Sequence, residues 1–218
     1  MPRKIPQSVY FLSGCDRATT FEYRVLQKQE QLALYGVDSK AQKRLIYREA
    51  TLEDATSHDL LYLYRVPYSP FIEEVIRQAR GRHIPVVFGI DDLVFEPSMA
   101  KWVDAVAGMS SHQAALYYEG TWRFRRTLME CDYVVASTEY LADLTRRHGK
   151  TAFVHRNGLS QWMIDESETL RKESKAPGAR EKVVLGYGSG TATHRKDLAE
   201  VGDALAQVMS RHPNVELH

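Results

Sequence analysis

The stretch DLLYLYRVPYSPFIEEVIRQARGRHIPVVFGIDD, residues 59–92, decides the fold class. It begins and ends with an apolar run of strand length. Between the two runs, Ser69-Pro70 opens a helix-like segment, since Pro is well tolerated in a first helical turn. The stretch therefore predicts a buried strand, a helix over Phe71–Ala79 and a second buried strand.

The same alternation extends over most of the chain. Apolar runs predict five strands, at Ser8–Gly14, Asp59–Val66, Ile84–Asp92, Asp132–Thr138 and Thr151–Gly158. Further helices are predicted over Thr20–Leu34 and Glu139–Arg147, each followed by a glycine. Within residues 40–57, the segment KRLIYRE is the single predicted strand. Near-continuous apolar strands that alternate with helices indicate a parallel sheet covered on both faces, which is a doubly wound, Rossmann-like α/β fold.

Residues 165–182, DESETLRKESKAPGAREK, differ in character from the rest. They are highly charged, contain Pro177 and Gly178 and show almost no apolar periodicity, which is typical of a linker. We therefore predict a first domain over residues 1–160, a linker over 161–181 and a second domain over 182–218. That second domain has a strand, a helix over about His194–His212 and the strand NVELH. Three elements cannot bury a core, so we expect an incomplete Rossmann-like domain.

Composition argues against several classes of protein. The 218 residues carry a formal net charge of +1 and are 44% apolar, so we expect a soluble protein without a nucleic-acid partner. Cys15 and Cys131 form no Cys-x-x-Cys pair, which indicates reduced thiols in the cytoplasm. The apolar run near the N-terminus is too short for a signal peptide, and none approaches the ~18 residues of a membrane span.

Polar side chains follow nearly every predicted strand. In open α/β sheets, ligands bind beyond the carboxyl ends of the strands, so these residues are the candidates for a site. They are Gly14, Asp16, Arg17 and Arg24 after the first strand, Arg65 after the next, Asp91 and Asp92 after the third, His155, Arg156 and Asn157 after the fifth, and His194, Arg195 and Lys196 in the second domain.

Asp91 and Asp92 have two interpretations. They could cap a helix in solvent, because Asp favours caps and turns. Alternatively, one carboxylate faces a cleft as a general base or as an acceptor for substrate hydroxyl groups. Adjacent residues leaving a strand point in opposite directions, so we expect one of the two to face the site. Two neighbouring carboxylates without a further ligand make a poor metal cage, so no metal site is expected. Gly14, likewise, could simply supply a turn.

Residues 182–201, KVVLGYGSGTATHRKDLAEV, resemble a cofactor-binding turn but lack its spacing. A Gly-x-Gly-x-x-Gly motif that starts at Gly186 or Gly188 would end on Thr191 or Thr193. Nor is there a Gly-Lys pair of the phosphate-loop type. The basic residues that open the following helix run against its dipole, which favours a bound anion, although a solvated first turn remains the alternative.

Five segments in order carry a family resemblance: ATTFEYRVLQKQEQLALYGV, VPYSPFIEEVIRQARGRHIPVVFGIDDLVFEP, DYVVASTEYLADL, HRNGL and VVLGYGSGTATHRKDL. Together they resemble bacterial glycosyltransferases of family four, two-domain enzymes of the GT-B fold. These enzymes move a sugar from a nucleotide donor to a saccharide or lipid acceptor. The resemblance implies that the first domain binds the acceptor and that the second holds most of the donor.

The resemblance also implies roles for individual residues. Asp91 and Asp92 correspond to the acidic strand end that holds the acceptor hydroxyl, and we regard them as the catalytic candidates. Donor-binding candidates are Ser13, Gly14, Gly188, Ser189, Gly190, Thr191, His194, Arg195 and Lys196. Acceptor-binding candidates are Asp16, Arg17, Arg24, Arg65 and Trp122.

Two departures from the family pattern stand out. Gly89 replaces the first acid of the usual Asp-x-Asp-Asp strand end, and the pair of glutamates that contacts the donor has no counterpart. We therefore expect a truncated enzyme with little activity of its own. Transfer by the family is expected to be retaining and to need no cofactor or obligatory metal, because cationic side chains and amides stabilise the leaving diphosphate.

The segment ALYYEGTWRFRRTLME mixes aromatic side chains with arginines. It could grip a saccharide or touch an anionic membrane that carries a lipid-linked acceptor. A helix packed on the sheet with a solvated arginine face is the alternative. Two rival functions also stay open: a non-catalytic sugar- or nucleotide-binding module, and a nucleotide-dependent oxidoreductase or epimerase.

Overall fold

The computed structural model describes residues 5–15, 18–43, 49–173, 182–188 and 195–218, which form two compact units. The first unit consists of residues 5–97 and 116–161 and the second of residues 98–115 and 162–218, within the described ranges. The strands are β1 (Ser8–Ser13), β2 (Asp38–Gln42), β3 (Leu60–Tyr64), β4 (Val86–Ile90), β5 (Tyr133–Ala136), β6 (Thr151–Val154), β7 (Val183–Leu185) and β8 (Val215–Leu217).

The helices are α1 (Ala18–Phe21), a π-helical turn (Glu22–Leu26), α2 (Gln27–Leu34), α3 (Glu49–Ser57), α4 (Pro70–Gly81), a 3-10 helix (Pro97–Trp102), α5 (Asp104–Ala107), α6 (Ser111–Glu130), α7 (Glu139–Arg147), α8 (Gln161–Glu173) and α9 (Arg195–Arg211).

The first unit contains a six-stranded sheet in the order β2-β1-β3-β4-β5-β6, and every pairing is parallel. Parallel neighbours need crossover connections, which the helices between the strands provide. The sequence prediction of a Rossmann-like α/β fold is confirmed. Because all strands point the same way, their carboxyl ends meet at one edge of the sheet.

The two faces of this sheet differ in how well they are covered. One face packs against α3, α4, α6 and α7 and forms a large apolar core centred on residues such as Leu63, Phe88 and Ile72. On the other face, Phe21 and Val25 pack over β1 and β3, while Phe153 on β6 is 54% exposed. Coverage of both faces, as predicted, is therefore found over β1 and β3, whereas the second face is partly exposed at β5 and β6.

Capping residues define the helices that the sequence predicted best. Ser69 is the N-cap of α4, and its hydroxyl accepts a hydrogen bond from the Ile72 amide. Thr138 caps α7 in the same way, and Gly149 beyond its end adopts a φ of 78°. The observed α7 has the predicted bounds, and α4 extends the prediction by one residue at its start and two at its end.

The region between residues 38 and 57 differs from the prediction. A strand, β2, occupies Asp38–Gln42, and a helix, α3, occupies Glu49–Ser57. The predicted strand KRLIYRE falls largely on residues 44–48, which lie outside the described residues. β2 has the sequence DSKAQ and contains no buried residue, so it is held by its pairing with β1 rather than by apolar side chains.

The second unit contains a parallel pair of strands, β7 and β8, that is connected through α9. This arrangement agrees with the predicted strand, helix and strand. Apolar side chains of β7 and β8 are substantially exposed, including those of Val183, Val184 and Leu217. The predicted linker contains α8, none of whose residues is buried, and residues 174–181 lie outside the described ranges. The domain boundaries themselves stay a prediction.

Candidate functional site

Four side chains form a connected cluster at the carboxyl ends of β3 and β4: Tyr64, Arg65, Asp91 and Asp92, hereafter the strand-end cluster. The Tyr64 hydroxyl donates to Asp91 Oδ1 at 2.8 Å. The Arg65 guanidinium donates from Nε to Asp91 and from Nη2 to Asp92, so one fork joins both carboxylates. Burial raises the pKa of Tyr64, and Asp91 adds to that rise while Arg65 opposes it.

The two carboxylates differ sharply in exposure. The side chain of Asp91 is 13% exposed and that of Asp92 is 61% exposed, although both contact Arg65. The two carboxylates therefore differ in exposure, as expected for adjacent residues that leave a strand. They do not point fully apart, however, because both contact the Arg65 guanidinium. Asp91 is fixed inside the protein, whereas Asp92 presents oxygen atoms to solvent while Arg65 orients it. Asp92 is accordingly the better placed of the two to accept a hydrogen bond from a ligand hydroxyl group.

The backbone beside this cluster is tightly packed. Arg65 has a φ of 45°, in the left-handed region that non-glycine residues rarely adopt. Gly14 lies against it, and a Cβ atom on Gly14 would come within 2.1 Å of the Arg65 carbonyl oxygen. The Gly14 amide donates to the Tyr64 carbonyl at 2.8 Å. Packing alone accounts for the glycine, and its predicted role in donor binding stays a prediction.

Ser13, the other donor-binding candidate in the first unit, is fully buried. Its hydroxyl donates to the Cys15 carbonyl at 2.7 Å and lies 3.2 Å from the Cys15 amide, which donates to it. This side chain therefore shapes the turn after β1 rather than facing solvent.

Arg24 does not lie at the solvent-facing mouth that the sequence led us to expect. It is fully buried in the π-helical turn, and its Nη1 donates to the His155 carbonyl at 3.1 Å and to Asn157 Oδ1 at 2.8 Å. Its contacts join the first helix to the segment after β6. An acceptor-binding role for Arg24 stays a prediction, and the side chain has no exposed surface in this structure.

Lys28 is a neighbouring residue that the sequence analysis missed. It is 6% exposed and one helical turn from Arg24. The signal was present, because residues 21, 24, 25, 28 and 32 form one helical stripe, and two of these five are cationic. Burial, followed by the charge of Arg24, lowers the pKa of Lys28 to about 7.

Several of the predicted site residues lie outside the described part of the chain or have side chains outside it. Asp16, Arg17, Ser189, Gly190, Thr191 and His194 lie outside the described residues. Arg195 and Lys196 begin α9, but their side chains are not described, and Gly188 is exposed. Their assignment to donor binding stays a prediction.

The arginines around Trp122 on α6 have partners within the protein. Arg123 donates to the Tyr68 carbonyl at 2.7 Å, Arg125 contacts Glu96 and His148, and Arg126 stacks on the Tyr68 ring at 3.8 Å. Trp122 is exposed, with the Arg125 guanidinium 5.6 Å from its ring centre. These contacts favour the packed-helix interpretation of this segment, and contact with a saccharide or a membrane stays a prediction.

The described residues contain no group of three His, Cys, Asp or Glu side chains that could hold a metal ion. Within the same residues, no helix combines the length and the apolar character needed to cross a bilayer. Both cysteines are free thiols, and burial raises the pKa of Cys131.

Sheet topology and the strand-end cluster together define an α/β protein of Rossmann-like fold with polar groups at the carboxyl edge of its sheet. No protein-family model matches the chain, and no curated protein sequence matches it significantly.

Solved structures show a partial likeness. An alpha-glucosyltransferase in complex with UDP is 11% identical, with a TM-score of 0.42, and the match covers 98% of this chain and 67% of that protein. An alpha-glucosyltransferase in complex with UDP and a 13-mer DNA containing a central A:G mismatch is 13% identical, with a TM-score of 0.42. That match covers 91% of this chain and 60% of that protein.

LsrB from Clostridium saccharobutylicum in complex with AI-2 is 13% identical, with a TM-score of 0.36. That match covers 96% of this chain and 51% of that protein. The chain thus spans between 51% and 67% of the length of these three proteins. The fold assignment rests on the sheet topology rather than on these matches.

Proposed function

We propose that this chain is part of a glycosyltransferase that moves a sugar from a nucleotide-sugar donor to a saccharide or lipid-linked acceptor. The observation that carries the proposal is the strand-end cluster. Asp92 is an exposed carboxylate that Arg65 holds in place at the carboxyl edge of a parallel sheet, where ligands of this fold class bind. A carboxylate so held can accept a hydrogen bond from an acceptor hydroxyl group.

The acceptor would contact Asp92, while Asp91 would act indirectly by fixing Arg65 and Tyr64. Departure of the nucleoside diphosphate builds negative charge, which cationic side chains and backbone amides offset. Transfer with retention and without an obligatory metal ion belongs to this proposal. The paired glutamates of the family have no counterpart in residues 1–218, so we expect weak donor binding and little turnover by these residues alone.

Calorimetric titration of the chain with UDP-, GDP- and ADP-sugars, with NAD and with a panel of saccharides tests this proposal. We expect binding of at least one nucleotide sugar and one saccharide, and no binding of NAD. Asp92→Asn should weaken saccharide binding about tenfold, in line with the loss of a charged hydrogen bond. The matched control is Asp203→Asn, which changes an exposed aspartate on α9. This variant should bind the ligands like the native chain.

Other outcomes identify the rival functions. Binding of NAD without any nucleotide sugar would contradict the proposal and favour an oxidoreductase. Saccharide binding that Asp92→Asn leaves unchanged would remove the strand-end cluster from the site. Rapid transfer by the chain alone would contradict the expectation of low activity.

A further inference from the structure

A cluster of buried polar atoms without partners lies on the second face of the sheet, in the first unit. The atoms are Arg24 Nε and Nη2, Lys28 Nζ, the Tyr62 hydroxyl oxygen and His155 Nδ1. None of them has a hydrogen-bond partner at normal distance among the described residues, although the Arg24 guanidinium lies close enough to the Tyr62 hydroxyl to interact with it. Buried polar groups in proteins are almost always hydrogen-bonded, and buried charges are almost always paired. A group of such atoms from the helix, β3 and the end of β6 therefore indicates a missing partner.

A negatively charged partner fits this cluster best. Arg24 is cationic, and burial lowers the pKa of Lys28 to about 7 and also lowers the pKa of His155, whose Nε2 lies 2.7 Å from Gln31 Oε1. A bound anion would favour the charged forms of both groups. Asp91 is the acid that acts on Lys28, but it already accepts hydrogen bonds from Tyr64 and Arg65. Leaving a charged group buried and unpaired is strongly destabilising, whereas an anion would pair with Lys28 and the Tyr62 hydroxyl and would offset the charge of Arg24.

Access to this cluster runs through an apolar groove on the same face. A cavity of about 420 Å³ is lined by Lys28, Tyr62 and His155 and by the apolar side chains of Val9, Leu32, Leu60, Val87, Val135 and Phe153. This volume lies within the roughly 300–1,000 Å³ of ordinary ligand pockets. Arg24 is not part of the lining, so it adds its charge from behind the wall.

The groove continues along the strands away from the cations. A second cavity of about 740 Å³ shares Leu60, Val87, Val135 and Phe153 with the first and extends to Ile5 and Pro85. The parallel sheet therefore presents a long apolar groove, and positively charged side chains lie beside one part of it. A simple inorganic anion would fill the charged part and leave the apolar walls in water.

We propose that Arg24, Lys28, Tyr62 and His155 form a binding site for an amphipathic anion, with a phosphate or carboxylate head group near Lys28 and a hydrocarbon chain along the apolar groove. Lys28 contacts the head group, the Tyr62 hydroxyl donates a hydrogen bond to it, and His155 contacts it through Nδ1 in the protonated form of the ring. Arg24 stabilises the bound charge without touching solvent. The π-helical turn that holds Arg24 supports this assignment, because such turns occur frequently at functional sites.

The site has other lining residues than the strand-end cluster, although Asp91 is near enough to act on Lys28 and Tyr62, and it does not rest on the proposed sugar transfer. Its lining residues are on the exposed second face, whereas Asp92 stands at the carboxyl edge. Failure of sugar binding would therefore leave this proposal intact, and loss of the amphiphile site would leave the proposed transferase function intact.

Calorimetry with dodecyl phosphate, dodecyltrimethylammonium and inorganic phosphate, each below micelle-forming concentration, tests the proposal on the 218-residue chain. We expect one dodecyl phosphate per chain, at least tenfold weaker binding of inorganic phosphate, and no binding of the cationic amphiphile. Lys28→Met keeps an unbranched side chain, one atom shorter, and removes the charge, so it should weaken dodecyl phosphate binding about tenfold or more. Lys172→Met, on the exposed face of α8, is the matched control and should change nothing.

A second variant separates the two parts of the ligand. Phe153→Thr alters an exposed position in the groove wall without adding a charge, so the protein should remain folded. It should weaken dodecyl phosphate binding and leave the binding of inorganic phosphate unchanged. Equal affinity of the native chain and Lys28→Met for dodecyl phosphate would overturn the anion site. Equal affinity of the native chain for dodecyl phosphate and inorganic phosphate would overturn the apolar half.

Discussion

The Tyr62 side chain occupies the space above Gly89 on the neighbouring strand. A Cβ atom built on Gly89 would come within 2.4 Å of Tyr62 Cε1 and 2.5 Å of its hydroxyl oxygen. Gly89 stands where the sequence resemblance led us to expect an acid. The glycine has a steric explanation, because the ring of Tyr62 fills the volume that a longer side chain would need.

Gly89→Ala should therefore destabilise the protein by about 1–3 kcal/mol, the usual cost of overpacking a core. Urea unfolding measures the change. In a Tyr62→Ala background, the same substitution should cost much less, since the two residues are in contact and their effects are not additive. Equal costs in both backgrounds would contradict the steric explanation.

The two aspartates of the strand-end cluster should differ in their contribution to stability. Asp91→Asn replaces a largely buried acceptor of hydrogen bonds from Tyr64 and Arg65, and it should cost about 2 kcal/mol in the free energy of unfolding. Asp92→Asn changes an exposed side chain and should cost less than about 0.5 kcal/mol. The comparison fails if Asp92→Asn proves the more destabilising of the two.

Glu96 should be important for stability. Its carboxylate accepts from Arg125 Nη1 at 3.0 Å and lies 2.8 Å from His148 Nε2, which connects α6, α7 and the segment after β4. Glu96→Gln should cost about 1–3 kcal/mol, because it leaves the Arg125 charge without its counterion in a partly buried position. Glu74→Gln, at an exposed pair with Arg77, is the control and should have no measurable effect.

Stability should also depend on pH through Lys28. Its pKa is about 7 in the folded protein against an ordinary value of 10.5, so between these values the unfolded chain holds a proton that the folded chain has released. Stability due to this group therefore rises as pH increases from about 7 to about 10.5, and below pH 7 the full cost of burying the charge is present.

Lys28→Met removes this group and should be most stabilising near pH 6.5. Urea unfolding of both proteins at pH 6.5, 7.5, 8.5 and 9.5 should show the difference between them shrinking as pH rises. A difference that stays constant over this range would contradict the assignment.

The sequence was sufficient where local signals and apolar runs coincide. Thr138 and Gly149 flank α7, and its bounds were predicted correctly; β1, β3 and β4 are apolar enough to be recognised without their neighbours. β2 was missed because its polar sequence is stabilised by pairing with β1, which no local pattern reveals. The partial exposure of the second face was also missed, because local patterns do not reveal on which side of the sheet each helix packs.

The candidate site was predicted only in outline. The sequence identified Arg65, Asp91 and Asp92 as candidates because each follows a predicted strand. The contact of one Arg65 guanidinium with both carboxylates could not be predicted, because it depends on the register of β3 and β4. Arg24 was expected at the solvent-facing edge and is fully buried, and Lys28 was overlooked because a lysine on a helix usually faces water. Its position on the apolar stripe of the helix was the signal that could have revealed it.

Chemical-shift mapping of the 218-residue chain with nucleotide sugars and saccharides tests the central claim most directly. Binding at the strand-end cluster predicts that a saccharide shifts the resonances of Arg65 and Asp92 more than those of the exposed control Asp203, and that Asp92→Asn reduces these shifts. Shifts that avoid Arg65 and Asp92, or that appear with NAD but with no saccharide or nucleotide sugar, would contradict the claim.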